Sequence, residues 1–208
     1  MILMKNDLFN KSIIKVLNQR VKMELQKIFW FYICNIFVVD GTNEFKMVES
    51  RMQYEFKPIT LDNYYLVRDF REDSRINQYK EKLANKEIGF FAEHNGKMIG
   101  SIWATINKTE LPNVVRTFIR IMPDEGLIHD IVTGEKFRGM GVAPFMVRNM
   151  VSILLTQHGL KKIIIDVNIK NKASLRTMDK LGLRIDKKMF FMSAFEKLIF
   201  QHVLRQYN

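Results

Sequence analysis

The stretch from Gly126 to Met150 constrains this chain more than any other. Residues 127–133 form an apolar run that reads as a strand, and 134–142 read as a glycine-bearing loop. An amphipathic pattern opening near Ala143 reads as a helix. Gly139 and Gly141 flank Met140, so the backbone can bend there without a Cβ clash. A helix that starts just after such a loop presents unpaired N–H groups and a partial positive charge. That pairing suits a phosphate or pyrophosphate. Pro144 fits the first helical turn, where its missing N–H costs nothing. The donors must therefore come from residues 139–143.

Two familiar phosphate loops do not fit. The pattern Gly-x-x-x-x-Gly-Lys-Ser/Thr is absent, and Gly139-x-Gly141 is followed by Pro144 where a dinucleotide loop needs its third glycine. The chain has 208 residues, 47% hydrophobic and 26% charged, which suits one domain plus an appendage and excludes a disordered composition. A single cysteine, Cys34, excludes an internal disulfide and a cysteine-based zinc site; it lies in an apolar run and reads as a core residue. No metal is expected. The thiol usage fits a reducing, cytoplasmic compartment. The net charge of +11 favours anionic partners. No nucleic-acid fold signature accompanies it, so no nucleic acid is expected as partner. The apolar run at 28–39 is shorter than the roughly 18–20 residues a membrane span needs, and Asn35 interrupts it.

Residues 1–50 read as a distinct extension. Phe9, Ile13, Val16, Leu17, Val21, Leu25 and Ile28 recur at mostly helical spacing among lysines and arginines, and lead into the aromatic cluster at 29–32. Only 36–39 read as a short strand there. Packing on the main domain, contact with a membrane surface, and contact with a partner, a homodimer included, are the roles open to it. The main domain is expected over 53–208. Residues 54–59 alternate as a strand, and Thr60 and Ser74 read as caps of two helices. Strands over 88–93 and 97–106 are joined by His94-Asn95-Gly96, where Asn-Gly signals a hairpin and makes His94 a turn residue. Residues 107–126, with a partial strand at 114–121, are natural walls for an acceptor pocket. A helix over 144–158 stopped by Gly159, a strand over 161–167, a helix over 171–182, a strand over 183–191 and a final amphipathic helix over 193–207 complete the expectation.

Two motifs carry a family resemblance. Arg138-Gly139-Met140-Gly141-Val142-Ala143 fits Arg/Gln-x-x-Gly-x-Gly/Ala between a strand and a long helix. Downstream, Asn171, Ser174 and a closing Lys180-Leu181-Gly182-Leu183 follow a second strand. In that order and separation the chain resembles the GCN5-related N-acetyltransferase (GNAT) superfamily over about residues 53–192. The resemblance implies an α/β (α+β) acyl-CoA N-acyltransferase fold: a mixed, mostly antiparallel sheet with splayed central strands, flanked by helices, with residues 1–50 as an N-terminal extension. It implies acetyl-CoA as co-substrate, with its pyrophosphate on the loop amides of 138–143. The pantetheine arm would lie along Ile131, Val132 and Thr133, and Asn171 and Ser174 occupy positions that often contact CoA.

The implied activity is transfer of an acetyl group to the primary amine of a small molecule, with nucleotide-linked amino sugars the class suggested by the motif wording and the basic charge. A protein or peptide acceptor, and a non-catalytic acyl-CoA-binding module, are the alternatives. An amine must lose a proton before it attacks a thioester, so a carboxylate or imidazole is needed nearby. Asp130 sits where relatives often place an acid, and His129 precedes it. Strand alternation sends these two to opposite faces. Met178 stands where many relatives carry a proton-donating tyrosine.

Overall fold

The computed structural model describes residues 29–43, 45–46, 52–115, 119–195 and 197–207. The helix expected over 9–28 lies outside them. In chain order the strands are β1 (Phe29–Val39), β2 (Glu55–Pro58), β3 (Ile88–His94), β4 (Lys97–Ile106), β5 (Asn113–Val115), β6 (Ile119–Ile121), β7 (Glu125–Thr133), β8 (Lys162–Asn168), β9 (Ile185–Ala194) and β10 (Lys197–Gln206). The α-helices are α1 (Ile76–Ala84), α2 (Val142–Thr156) and α3 (Lys172–Lys180), preceded by 3-10 turns at Tyr64–Asp69 and Asp73–Arg75. Eight strands form one sheet in the order β10-β9-β1-β8-β7-β4-β3-β2, and β5 and β6 form a separate ribbon. Every adjacent pair in the large sheet is antiparallel except β7 with β8. This is the mixed, mostly antiparallel architecture that the motifs imply. Among the described residues, no helix is long and apolar enough to cross a membrane.

Sequence periodicity separated an aromatic cluster at 29–32 from a short strand at 36–39. The structure joins them into β1 and inserts that strand between β8 and β9. Cys34, Ile36, Phe37 and Val39 are buried there on both faces of the sheet. A strand covered on both sides has no reason to alternate, so its near-continuous apolar run carries no period to read. Burial, reinforced by the charge of Asp166, pushes the Cys34 thiol well above its usual range, which keeps it inert.

The final helix expected over 193–207 is also corrected. Those residues complete β9, turn, and return as β10. The register slips between Leu198 and Phe200 and again between Val203 and Arg205. Each slip adds one residue to a two-residue repeat, and the apolar positions then fall at intervals of three and four. The sequence mimics a helix because the strand is bulged twice. Ser74 caps nothing: α1 starts after Arg75 without a side-chain cap, and the Ser74 hydroxyl donates to Glu72 at 3.4 Å. Thr60 turns the chain instead, accepting from the Asp62 amide at 3.2 Å ahead of the first 3-10 turn.

One face of the sheet is covered by α2, whose Val142, Met146, Val147, Met150, Val151 and Leu154 are buried at helical spacing. On the opposite face Tyr79 of α1 packs against Phe91 and Trp103. The expected hairpin is present, with Asn95 (φ 52°) and Gly96 (φ 77°) in the left-handed conformation that a two-residue turn requires.

Candidate active site

The parallel pairing of β7 with β8 stops early. It runs from Glu125 opposite Lys162 to Ile128 opposite Ile165 and goes no further. On its other edge β8 is paired with β1 from Ile163 to Asn168, while Val132 and Thr133 of β7 remain paired to Ser101 and Gly100 of β4. The β8 side of residues 131–133 is thus an unpaired strand edge inside the sheet, where an extended ligand can add hydrogen bonds as a strand would.

A cavity of about 680 Å³ opens at this wedge. Ile131, Val132 and Thr133 form one wall; Arg138, Gly139, Gly141, Val142 and Ala143 form the second; Asn171 and Ser174 lie on the third, contributed by α3 and its cap. Of the residues singled out in the sequence for this ligand, only Met140 does not line the cavity. Its carbonyl is turned away and accepts from the Tyr54 hydroxyl at 2.8 Å. Gly139 (φ 81°) and Gly141 (φ 91°) both adopt left-handed conformations. Among the described residues, the N–H groups of Gly139, Gly141, Val142 and Ala143 donate to no backbone carbonyl. Four donors left open at the start of a helix are a cradle for a doubly charged diphosphate.

The third wall carries a signal that sequence reading missed. Arg176 and Lys180 project to the cavity from α3, together with Ala173 and Thr177. With Arg138 they make three cations, and among the described residues no carboxylate lines the cavity. The spacing of 173, 176, 177 and 180 places all four on one helical face, which was the available clue. Asn171 caps α3, its side chain accepting from the Ser174 amide at 3.1 Å. Met178 is fully buried, belongs to the core, and still reaches the cavity wall. A thioether has no proton to give.

Tyr54 ties the glycine loop to the rest of the domain. Its ring packs against Phe145 and His94 while its hydroxyl holds the Met140 carbonyl. Tyr54→Phe keeps the ring and frees the loop. The KM for acetyl-CoA is expected to rise about 3- to 10-fold, as loss of one neutral hydrogen bond worth ~0.5–1.5 kcal/mol allows, with kcat nearly unchanged. Steady-state kinetics with varied acetyl-CoA checks this; an unchanged KM means the loop holds itself.

His129 and Asp130 do not point to opposite faces. β7 bulges here: Trp103 pairs with His129 and Ser101 with Val132, so Asp130 and Ile131 together oppose Ile102. Asp130 takes φ 47°, a left-handed conformation that Asp tolerates better than most residues. The broken alternation brings both side chains to Lys82 of α1. The ammonium is 3.5 Å from His129 Nδ1 and 3.5 Å from Asp130 Oδ2. Arg71 approaches Asp130 Oδ1 at 3.4 Å. His129 Nε2 lies 3.0 Å from the Thr105 hydroxyl and 3.4 Å from Glu87. With an ammonium against Nδ1, that nitrogen accepts and Nε2 carries the proton. Burial pushes the Tyr79 phenol above its ordinary value, so it stays neutral, sharing a 2.5 Å hydrogen bond with Ser101. Neither His129 nor Asp130 lines the wedge cavity, but the Asp130 side chain is 23% exposed against 5% for His129.

A second cavity, about 720 Å³, lies across the C-terminal end of β7 and shares Val132, Thr133, Phe137 and Arg138 with the first. Its other wall is the segment 68–75, where Arg71 connects it to Asp130. The described residues of 107–126, expected to shape an acceptor pocket, line neither cavity. Ile119 and Ile121 are instead buried against Ile36, Leu127 and Phe191.

Known structures resemble this one in fold. An acetyltransferase from the GNAT family of Colwellia psychrerythraea aligns over 82% of this chain and 59% of its own, with TM-score 0.56 and 15% identity. The aminoglycoside acetyltransferase AAC(6')-Iy, in complex with the bisubstrate analogue CoA-S-monomethyl-acetylneamine, aligns over 64% of this chain and 91% of its own, with TM-score 0.50 and 19% identity. A GCN5-related glucosamine N-acetyltransferase region in a fungal multi-domain GH3 beta-N-acetylglucosaminidase aligns over 82% of this chain and 22% of that one, with TM-score 0.55 and 14% identity. No curated protein matches the sequence. The family model described as acetyltransferase (GNAT) family matches residues 49–183, a span that runs from just before β2 to just past α3 and takes in the wedge, the glycine loop and its helix. The chain belongs to the acetyltransferase (GNAT) family.

Proposed function

We propose that this chain transfers the acetyl group of acetyl-CoA to the primary amine of a small molecule, with amino sugars, nucleotide-linked ones included, as the acceptor class. The observation that carries the reading is the unpaired edge of β7 over residues 131–133, lying in one cavity with the open amides of the glycine loop. The loop amides, Arg138, Arg176 and Lys180 hold the diphosphate end, and the strand edge orients the pantetheine arm. Acetyl-CoA supplies an activated thioester carbonyl.

The acceptor arrives as an ammonium and must become a neutral amine. Asp130 takes that proton, directly or through one water, and His129 acts behind it by holding Lys82 in place. The amine nitrogen then bonds to the carbonyl carbon, the carbon–sulfur bond breaks, and the second nitrogen proton is lost as the amide forms. Met178 offers the departing sulfur no proton, so water supplies it.

The deciding experiment incubates the protein with acetyl-CoA and a panel of primary amines and follows free thiol. Release with an amine supports the reading. Tight acetyl-CoA binding without release from any amine supports the alternative that Met178 favours, a binding module without turnover. Asp130→Asn is expected to lower kcat by about 10²- to 10⁴-fold, the usual range for a lost general base, with acetyl-CoA affinity retained. A variant within threefold of wild type across the pH profile would leave Asp130 an ion-pair partner of Arg71 and Lys82 and nothing more.

A further inference from the structure

The wall of the second cavity is basic in an uneven way. Arg68, Arg71, Arg75, Lys136 and Arg138 face it, against Asp69, Glu72 and Glu135. Among the described residues none of the three carboxylates pairs with Arg75 or Lys136: Asp69 accepts the Met98 amide at 3.0 Å, Glu72 accepts from Ser74, and Glu135 pairs with Arg138 at 3.3 Å. Arg71 is committed to Asp130, and Arg68 reaches Asp73 at 4.0 Å. Two cations remain. The half-buried Arg75 is met by the neutral Gln78 carbonyl at 2.9 Å, and among the described residues Lys136 is met by no carboxylate within ion-pair distance.

From this we infer that the acceptor carries a phosphate or carboxylate besides its amine, and that Arg75 and Lys136 bind it. The inference rests on the acetyl-transfer reading above and narrows its substrate class. A guanidinium presents paired donors to such an anion. A polycation without an anionic group offers Arg75 and Lys136 nothing to bind. An acceptor of the aminoglycoside type is therefore a poor fit, although a structural neighbour was solved with an analogue of one. The cations of this wall are distinct from Arg176 and Lys180, which face only the wedge cavity.

The test compares glucosamine, glucosamine 6-phosphate and neamine as acceptors, using wild type and the double variant Arg75→Gln/Lys136→Gln. Thiol release is measured with acetyl-CoA, and acceptor binding by calorimetry with CoA present. Glucosamine 6-phosphate is expected to exceed glucosamine by about tenfold or more in kcat/KM and in affinity, with neamine last. A tenfold preference corresponds to ~1.4 kcal/mol. The preference should shrink with added salt and largely vanish in the double variant, while the Kd for acetyl-CoA stays within about twofold. Equal use of glucosamine and its phosphate, or preference for neamine, overturns the inference and leaves the transfer reading intact. A double variant that weakens acetyl-CoA binding instead assigns this wall to the phosphates of CoA and also overturns it. Phosphate-selective binding that the double variant abolishes, without thiol release from any acceptor, upholds the anion site and sinks the transfer reading.

Discussion

A chain beginning at Met52 is expected not to fold, although it retains almost all of the family match and every residue of both cavities. The cut removes β1, and among the described residues β1 is the only strand that connects β8 to β9 in the large sheet. With neighbouring strands ~4.8 Å apart, its loss leaves a gap of roughly 10 Å between β8 and β9 that no side chain closes. The β9–β10 hairpin is then cut off, and a lone hairpin is at best marginally stable in water. Cys34, Ile36, Phe37 and Val39 leave the core together. At ~1.5–3 kcal/mol for each of Ile36, Phe37 and Val39, the loss is on the order of 4.5–9 kcal/mol. That equals most of the ~5–15 kcal/mol by which a domain is stable. Ile163, Ile165, Val167 and Phe191, buried in the intact fold, would also face water. Circular dichroism melting and acetyl-CoA calorimetry on the truncated chain check this. A cooperative transition and wild-type affinity would show that the splayed half of the sheet stands alone.

The same strand shows where sequence reading reaches and where it stops. The glycine loop, its helix and the capped α3 are local devices, each specified by a few adjacent residues. Gly139 and Gly141 are needed for their φ and Gly182 for its stop, so these were legible in order, whereas Asn171 was legible as a CoA-contact position of the family and not as the cap it forms. The splay itself could come only from the family resemblance, because it is a failure of two distant strands to pair. The misreadings have one physical origin. β1 is buried on both faces and β10 is bulged twice, so neither keeps the two-residue alternation by which a strand announces itself. The bulge at Asp130 defeated the same rule at the site and hid the meeting of His129, Asp130 and Lys82. Lys82 and Arg71 come from a segment about 50 residues earlier in the chain, with no motif to mark them. Arg75 and Lys136 are equally silent in the sequence, since their significance lies in the carboxylates that other residues have already occupied.

Gly141→Trp is expected to abolish acetyl-CoA binding and, with it, thiol release. Two effects act at one position. Gly141 holds φ 91° as the residue before α2, and a residue with a Cβ in the left-handed region costs ~1–2 kcal/mol. Gly141 also lines the wedge cavity, so an indole built there enters the space in front of the Val142 and Ala143 amides. Hydrogen bonds to a charged group contribute ~1.5–3 kcal/mol each, so losing two weakens binding by roughly 10²- to 10⁴-fold. Gly141→Ala separates the effects. It carries the backbone cost, with a melting temperature lower by about 2–8 °C in a chain of this size, yet its methyl leaves most of the cavity open. Calorimetry with acetyl-CoA on both variants should therefore show a modest loss for alanine and no measurable heat for tryptophan at similar thermal stability. Were the tryptophan variant to bind acetyl-CoA as wild type does, the diphosphate would have to sit elsewhere. The amides left open after the glycine loop would then be facing water rather than a ligand.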